Sequence, residues 1–125
     1  MNPGRFSLVS RLRSFKFAFR GLGALLKYEH NSRIHLCAAI IVVILGILLK
    51  ISLTEWCLLL LATGFVFFSE LVNSSLEAVS DAVKPEWNEQ IKKAKDYASA
   101  AVLVAAITSV FIGTLIFLPR LILLF

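Results

Sequence analysis

The chain has 125 residues, 58% of them hydrophobic and only 17% charged, with a formal net charge of +5. A soluble domain averages about 45–50% apolar and about 25% charged residues, so this composition belongs to a membrane protein and excludes disorder. Two cysteines in apolar surroundings exclude a disulfide scaffold, and the length allows one structural unit, residues 1–125 as a single integral-membrane domain.

The basic pI of 9.6 does not indicate a nucleic-acid partner, because the cations cluster beside apolar runs. Arg5, Arg11, Arg13, Lys16, Arg20 and Lys27 precede the first acidic residue, Glu29, and Arg33 directly precedes the first long apolar run. Lys84, Lys92, Lys93 and Lys95 share one later polar stretch, leaving only Lys50 and Arg120 elsewhere. Lysine and arginine are retained on the cytoplasmic side of membrane proteins, and that rule accounts for this distribution.

The first predicted element is a helix over residues 5–28. Leu8, Leu12, Phe15, Phe19, Leu22 and Leu26 recur at spacings of four and three, which keeps them on one face. Arg5, Arg13, Lys16, Arg20 and Lys27 flank that face, as in an amphipathic helix lying on anionic lipid headgroups. A signal peptide is not expected: the cations are dispersed and no small-residue cleavage site follows.

Three apolar runs come next, at 34–51, 54–83 and 90–118, each with about the 20 residues needed to span a bilayer. Pro85 breaks the second helix, a new one begins near Glu89, and Pro119 and Arg120 close the third. The expected fold is therefore all-α: an amphipathic surface helix and three transmembrane helices. Because the N-terminal segment and the loop around 84–95 carry eleven of the thirteen cations, both are predicted to be cytoplasmic, with the first turn and C-terminus outside. Trp56 and Trp87 read as interfacial anchors, Cys37 and Cys57 as small hydrophobes.

Chemistry concentrates in the second span. Glu70, Asn73, Glu77 and Asp81 fall on one helical face at and just below a membrane boundary. Carboxylates in hydrocarbon are costly and mark function by default. At this spacing they can hold magnesium together with phosphate, and a further carboxylate can act as a general base on a hydroxyl. For Asp81 a solvated helix end is an equally good reading; for Glu70, within Phe67-Phe68-Ser69-Glu70-Leu71-Val72, it is poor. Glu29 before the first span, and Lys95 with Asp96 at the start of the third, lie at the same expected depth. Lys95 can neutralise nucleotide phosphate, and Asp96 can orient substrate or a basic side chain. Small residues Ala98 to Ala101, Ala105 and Ala106 allow close helix approach.

The run Glu70-Leu-Val-Asn73-Ser-Ser-Leu-Glu77-Ala-Val-Ser-Asp81, followed by Ala94-Lys95-Asp96-Tyr-Ala-Ser-Ala-Ala-Val102, resembles the signature of the prokaryotic diacylglycerol kinases, a family that includes undecaprenol kinases. The resemblance extends over nearly the whole chain. It implies a homotrimeric bundle in the bacterial cytoplasmic (inner) membrane, transferring the ATP γ-phosphate to a lipid alcohol. By position it makes Glu70 the general base and assigns Glu29 and Glu77 to the Mg2+ that accompanies ATP. Asn73, Asp81, Lys95 and Asp96 then contribute to nucleotide binding or catalytic geometry, at a site between subunits. No G-x-x-x-x-G-K-[ST] loop is present, so metal, lysine and helix ends would hold ATP. His35 stands where the enterobacterial branch carries glutamate. The form Glu29-x-Asn31-x-Arg33-Ile34-His35 is more similar to the branch with undecaprenol kinases, and points to a polyprenol acceptor. His30 and His35 read either as metal ligands beside Glu29 or, more commonly for such residues, as hydrogen-bonded structural groups. Two other classes compete with the kinase: a non-enzymatic proton-coupled transporter using Glu70, and a membrane assembly protein whose polar stripe binds partner helices.

Overall fold

The computed structural model describes residues 4–83 and 86–125; Lys84 and the predicted break at Pro85 lie outside the described residues. Four helices follow in order: α1 (Leu8–Tyr28), α2 (His30–Leu48), α3 (Leu53–Val83) and α4 (Glu89–Leu124). The last three are long and apolar enough to cross a membrane. The main packing unit is the antiparallel α3/α4 hairpin, against which α2 lies more lightly.

Each boundary has a local cause. Ser7 caps α1 by accepting from the Ser10 N–H at 3.3 Å, so the helix begins later than the predicted residue 5. Glu29 alone, extended at φ −99° and ψ 111°, separates α1 from α2. It starts α2 four residues before the predicted 34. At its other end α2 stops at Leu48, because Lys50 takes a left-handed φ of 52°. The Lys50 N–H donates to the Ile47 carbonyl and the Ile51 N–H to the Gly46 carbonyl, the two bonds of a Schellman turn. A glycine is usual at that position; here a lysine occupies it. Asn88 caps α4 by accepting from the N–H groups of Gln90 and Ile91, as the predicted start near Glu89 requires.

The expected end at 118 does not hold: α4 continues through Pro119 to Leu124. Proline removes one helical hydrogen bond, a loss that membrane helices absorb through neighbouring contacts. Two such contacts flank Pro119. Ile116 and Phe117 are buried before it, and Arg120 after it binds Glu55 at the start of α3.

The buried core sits at this open end of the hairpin, beside the α2–α3 turn. Ile51, Leu59, Ile116 and Phe117 form it, with Leu45, Leu49, Trp56 and Ile112 packed around them. Gly46 makes the packing possible: a Cβ there would fall 2.6 Å from the Trp56 ring. Trp56 is thus half-buried, whereas Trp87 is exposed. Cys37 and Cys57 are free thiols on the exposed surface of the protomer. Along the spans, Ile40, Ile44, Leu60, Leu61, Phe111 and Leu115 face outward, an apolar exterior suited to lipid or neighbouring helices. On α1 the predicted apolar face, Leu8, Leu12, Phe15, Phe19 and Leu22, is likewise exposed, and only Leu25 is buried.

Candidate active site

Farther along α3, away from the buried core, Glu70 is buried, only 3% exposed. Its nearest ionisable partner comes from α2. The Nε2 atom of His35 lies 3.2 Å from Glu70 Oε1, but at an angle that makes no hydrogen bond, so Oε1 has no donor. Ser32 Oγ, Asn73 Oδ1 and Ser74 Oγ are also buried without partners. An orphaned buried polar atom costs about 1–3 kcal/mol. Four of them on two facing helices form a site equipped to accept bonds from something outside the chain.

Two further carboxylates act on Glu70. Glu29 and Glu77 are half-buried, and both lie close enough for their charge to bear on its carboxyl group. Glu29 is the N-cap residue of α2, yet its side chain makes no capping bond. The carboxylate therefore remains available at the positive end of a helix. Asp81 and Lys95 join α3 to α4 through a 2.7 Å ion pair. Asp96 instead pairs with Lys92 one turn earlier, at 2.8 Å. Lys95 and Asp96 are adjacent in sequence but serve different partners, since neighbours on a helix point about 100° apart. His30 is exposed at the start of α2, away from the buried contact that His35 makes.

Among the described residues, no three His, Cys, Asp or Glu side chains are gathered into a cation cage. The donor chemistry nevertheless fits a hard cation that arrives with phosphate. Magnesium is commonly held by one or two carboxylates, completing its shell with phosphate and water. Glu29 and Glu77 supply oxygens of that class beside the orphaned Oε1 of Glu70.

The sequence profile of the family described as prokaryotic diacylglycerol kinase matches residues 16–117, a stretch that contains every one of these groups. The chain belongs to that family. This kinase is 39% identical over 109 residues to the undecaprenol kinase of Bacillus subtilis, covering 87% of this chain and 89% of that one. It is 36% identical over 109 residues to the diacylglycerol kinase of Synechocystis, covering 86% and 62%. To the diacylglycerol kinase of Escherichia coli it is 33% identical over 94 residues, covering 75% and 77%. The protein is therefore a lipid-alcohol kinase, a phosphotransferase integral to a membrane with ATP as the donor implied by the family, and the transporter and assembly-protein readings fall away.

Sequence reasoning located the α3 stripe and Glu29, but neither Ser32 nor the contact of His35 with Glu70. The spacing of Glu29, Ser32 and His35, three residues apart each time, places them along one side of α2 and was the available signal. Ser74, four residues after Glu70, shares the stripe face, and that spacing was its available signal.

Proposed function

We propose that this kinase phosphorylates the hydroxyl of diacylglycerol or undecaprenol at the cytoplasmic face of the inner membrane, with Glu70 as general base. The observation that carries this reading is a buried carboxylate oxygen, Glu70 Oε1, with no donor of its own. The lipid hydroxyl donates to that oxygen. As the hydroxyl oxygen attacks the γ-phosphorus, its proton passes to Glu70. The bond from phosphorus to the β,γ-bridging oxygen breaks, and ADP leaves. Asn73 lies one turn from Glu70 and orients the reacting groups.

Glu29 and Glu77 would hold Mg2+, which neutralises phosphate charge when bound. Lys95, kept at the helix pair by Asp81, supplies a further positive charge for ATP, and Asp96 keeps Lys92 in place beside it. Phosphoryl transfer needs chiefly positioning and charge neutralisation, which so small a constellation can provide. The assembly is a homotrimer with sites between subunits. Its N-terminus is cytoplasmic and its C-terminus outside, and the apolar face of α1 lies in the interface against anionic headgroups.

Between the two acceptors, we favour the polyprenol. His35 supports this, within the Glu29-to-His35 form, as does the similarity to an undecaprenol kinase. The test supplies labelled ATP and magnesium to purified protein in lipid, with diacylglycerol and undecaprenol assayed side by side. Labelled lipid is expected, with undecaprenol preferred. No labelled lipid from either alcohol would overturn the assignment.

A further inference from the structure

Hydroxyls inside helices commonly donate to the carbonyl one turn back. Ser14, Ser69, Ser109 and Thr114 all do so. Ser32 and Ser74 do not, although the Oγ of each is buried. For Ser32 the reason is local: four residues back stands Tyr28, which ends α1, so α2 offers it no carbonyl. The residue is nonetheless fully enclosed, at 0% exposure. Ser74 leaves the carbonyl of Glu70, in its own helix, unused. Two buried hydroxyl donors are thus free, and the base and cation roles leave both idle.

Their place follows from the register of α2 on α3. The short turn at residues 49–52 returns α3 alongside α2, and the 3.2 Å approach of His35 to Glu70 fixes one rung between them. Toward the α1–α2 junction, Ser32 stands about 4.5 Å along α2 from His35, and Ser74 about 6 Å along α3 from Glu70. Glu29 and Glu77 follow on the same two helices at about 9 and 10.5 Å. Both serines therefore lie between the proposed base and the carboxylates proposed for the cation. An alcohol bonded to Glu70 has its oxygen about 2.7 Å from the carboxylate, and the phosphorus it attacks lies about 3–3.5 Å farther on. The transferring group is then about 6 Å from Glu70, level with Ser32 and Ser74.

We infer that Ser32 and Ser74 donate hydrogen bonds to the equatorial oxygens of the phosphoryl group as it passes from ATP to the lipid. Neither serine gives up its proton; each steadies the negative charge spread over those oxygens in the transition state. The inference rests on Glu70 as base and on Glu29 and Glu77 as the carboxylates that hold the cation. The group enters by the seam between α2 and α3, because α2 packs on the α3/α4 hairpin more lightly than the two hairpin helices pack on each other.

The experiment uses the full-length protein in lipid vesicles and the variants Ser32→Ala and Ser74→Ala, each of which removes a hydroxyl without adding bulk. Two quantities are measured. One is kcat for transfer to undecaprenol and to diacylglycerol; the other is the calorimetric affinity for MgADP with and without aluminium fluoride, which mimics the planar transferring group. Each variant should lose about 10–10²-fold in kcat and a similar factor in affinity for MgADP with aluminium fluoride, as loss of one donor to developing charge allows. KM for ATP and affinity for MgADP alone should stay within about twofold of wild type, because the bonds form only in the transition state. Ser75→Ala, on the exposed side of α3, is the control and should match the wild type throughout. Unchanged kcat and mimic affinity in either serine variant overturns the inference. So does an equal loss of MgADP affinity with and without aluminium fluoride, which would place the hydroxyls on bound nucleotide. A lower unfolding midpoint with kcat per folded molecule unchanged does the same, leaving the serines as a structural bridge between helices. Failure of the underlying reading is separately visible, because Glu70→Gln, or Glu29→Gln with Glu77→Gln, would then retain transfer whatever the serine variants do.

Discussion

The two ends of the α3/α4 hairpin treat polar groups in opposite ways. At the open end, beside the α2–α3 turn, Glu55 and Ser52 cap each other, with the Ser52 N–H donating to Glu55 Oε1 and the Glu55 N–H to Ser52 Oγ. Arg120 completes that arrangement across 65 residues of chain, beside the core built on Ile51, Leu59 and Phe117. At the other end, Ser32, Glu70, Asn73 and Ser74 keep buried atoms without partners. Satisfied polar groups hold the first end together, while the unsatisfied ones are those the proposed chemistry would use. Stability and chemistry are thereby divided between two regions of one small protein, and each can be altered without the other.

The largest expected effect is at the unsatisfied end. Glu70→Gln should lower phosphate transfer to lipid by about 10²–10⁴-fold, the usual contribution of a general base. It should leave the thermal unfolding midpoint in detergent the same or higher, because a neutral amide is less costly to bury than a carboxylate. A variant that loses activity only by unfolding would erase the division.

Substitution at the satisfied end should give the converse. Arg120→Leu leaves Glu55 without its cation and should weaken the fold. This would be read as an earlier unfolding midpoint, with transfer per folded molecule within about twofold of wild type. Gly46→Ala should cost about 1–3 kcal/mol by overpacking, since the new methyl meets the Trp56 ring. A change in Trp56 fluorescence would accompany it. The smallest effect is a gain: Lys50→Gly relieves a left-handed residue and should stabilise by about 1 kcal/mol, measured in the same unfolding experiment.

Much of this organisation was legible in the sequence wherever one helix sufficed. The stripe from Glu70 to Asp81 follows from helical period alone, and the spans follow from run length. What stayed hidden depended on contacts between helices or on a residue acting against its type. The pairing of His35 with Glu70 and of Glu55 with Arg120 needs the packing angles of separate helices, which no periodicity encodes. Lys50 gave no sign of a left-handed turn, because the conformation is imposed by the Schellman bonds around it. Pro119 signalled a helix end, yet buried neighbours on one side and the Arg120 contact on the other carry the helix past it.

The tryptophans sit one at each end, Trp56 enclosed beside Gly46 and Trp87 open to its surroundings. Two single replacements, Trp87→Phe and Trp56→Phe, therefore turn the protein into a pair of optical gauges. The first emits only from beside the α2–α3 turn, the second only from the end proposed to meet nucleotide. Titrating each with ATP and lipid would show which half of the molecule responds to which substrate, with no label attached.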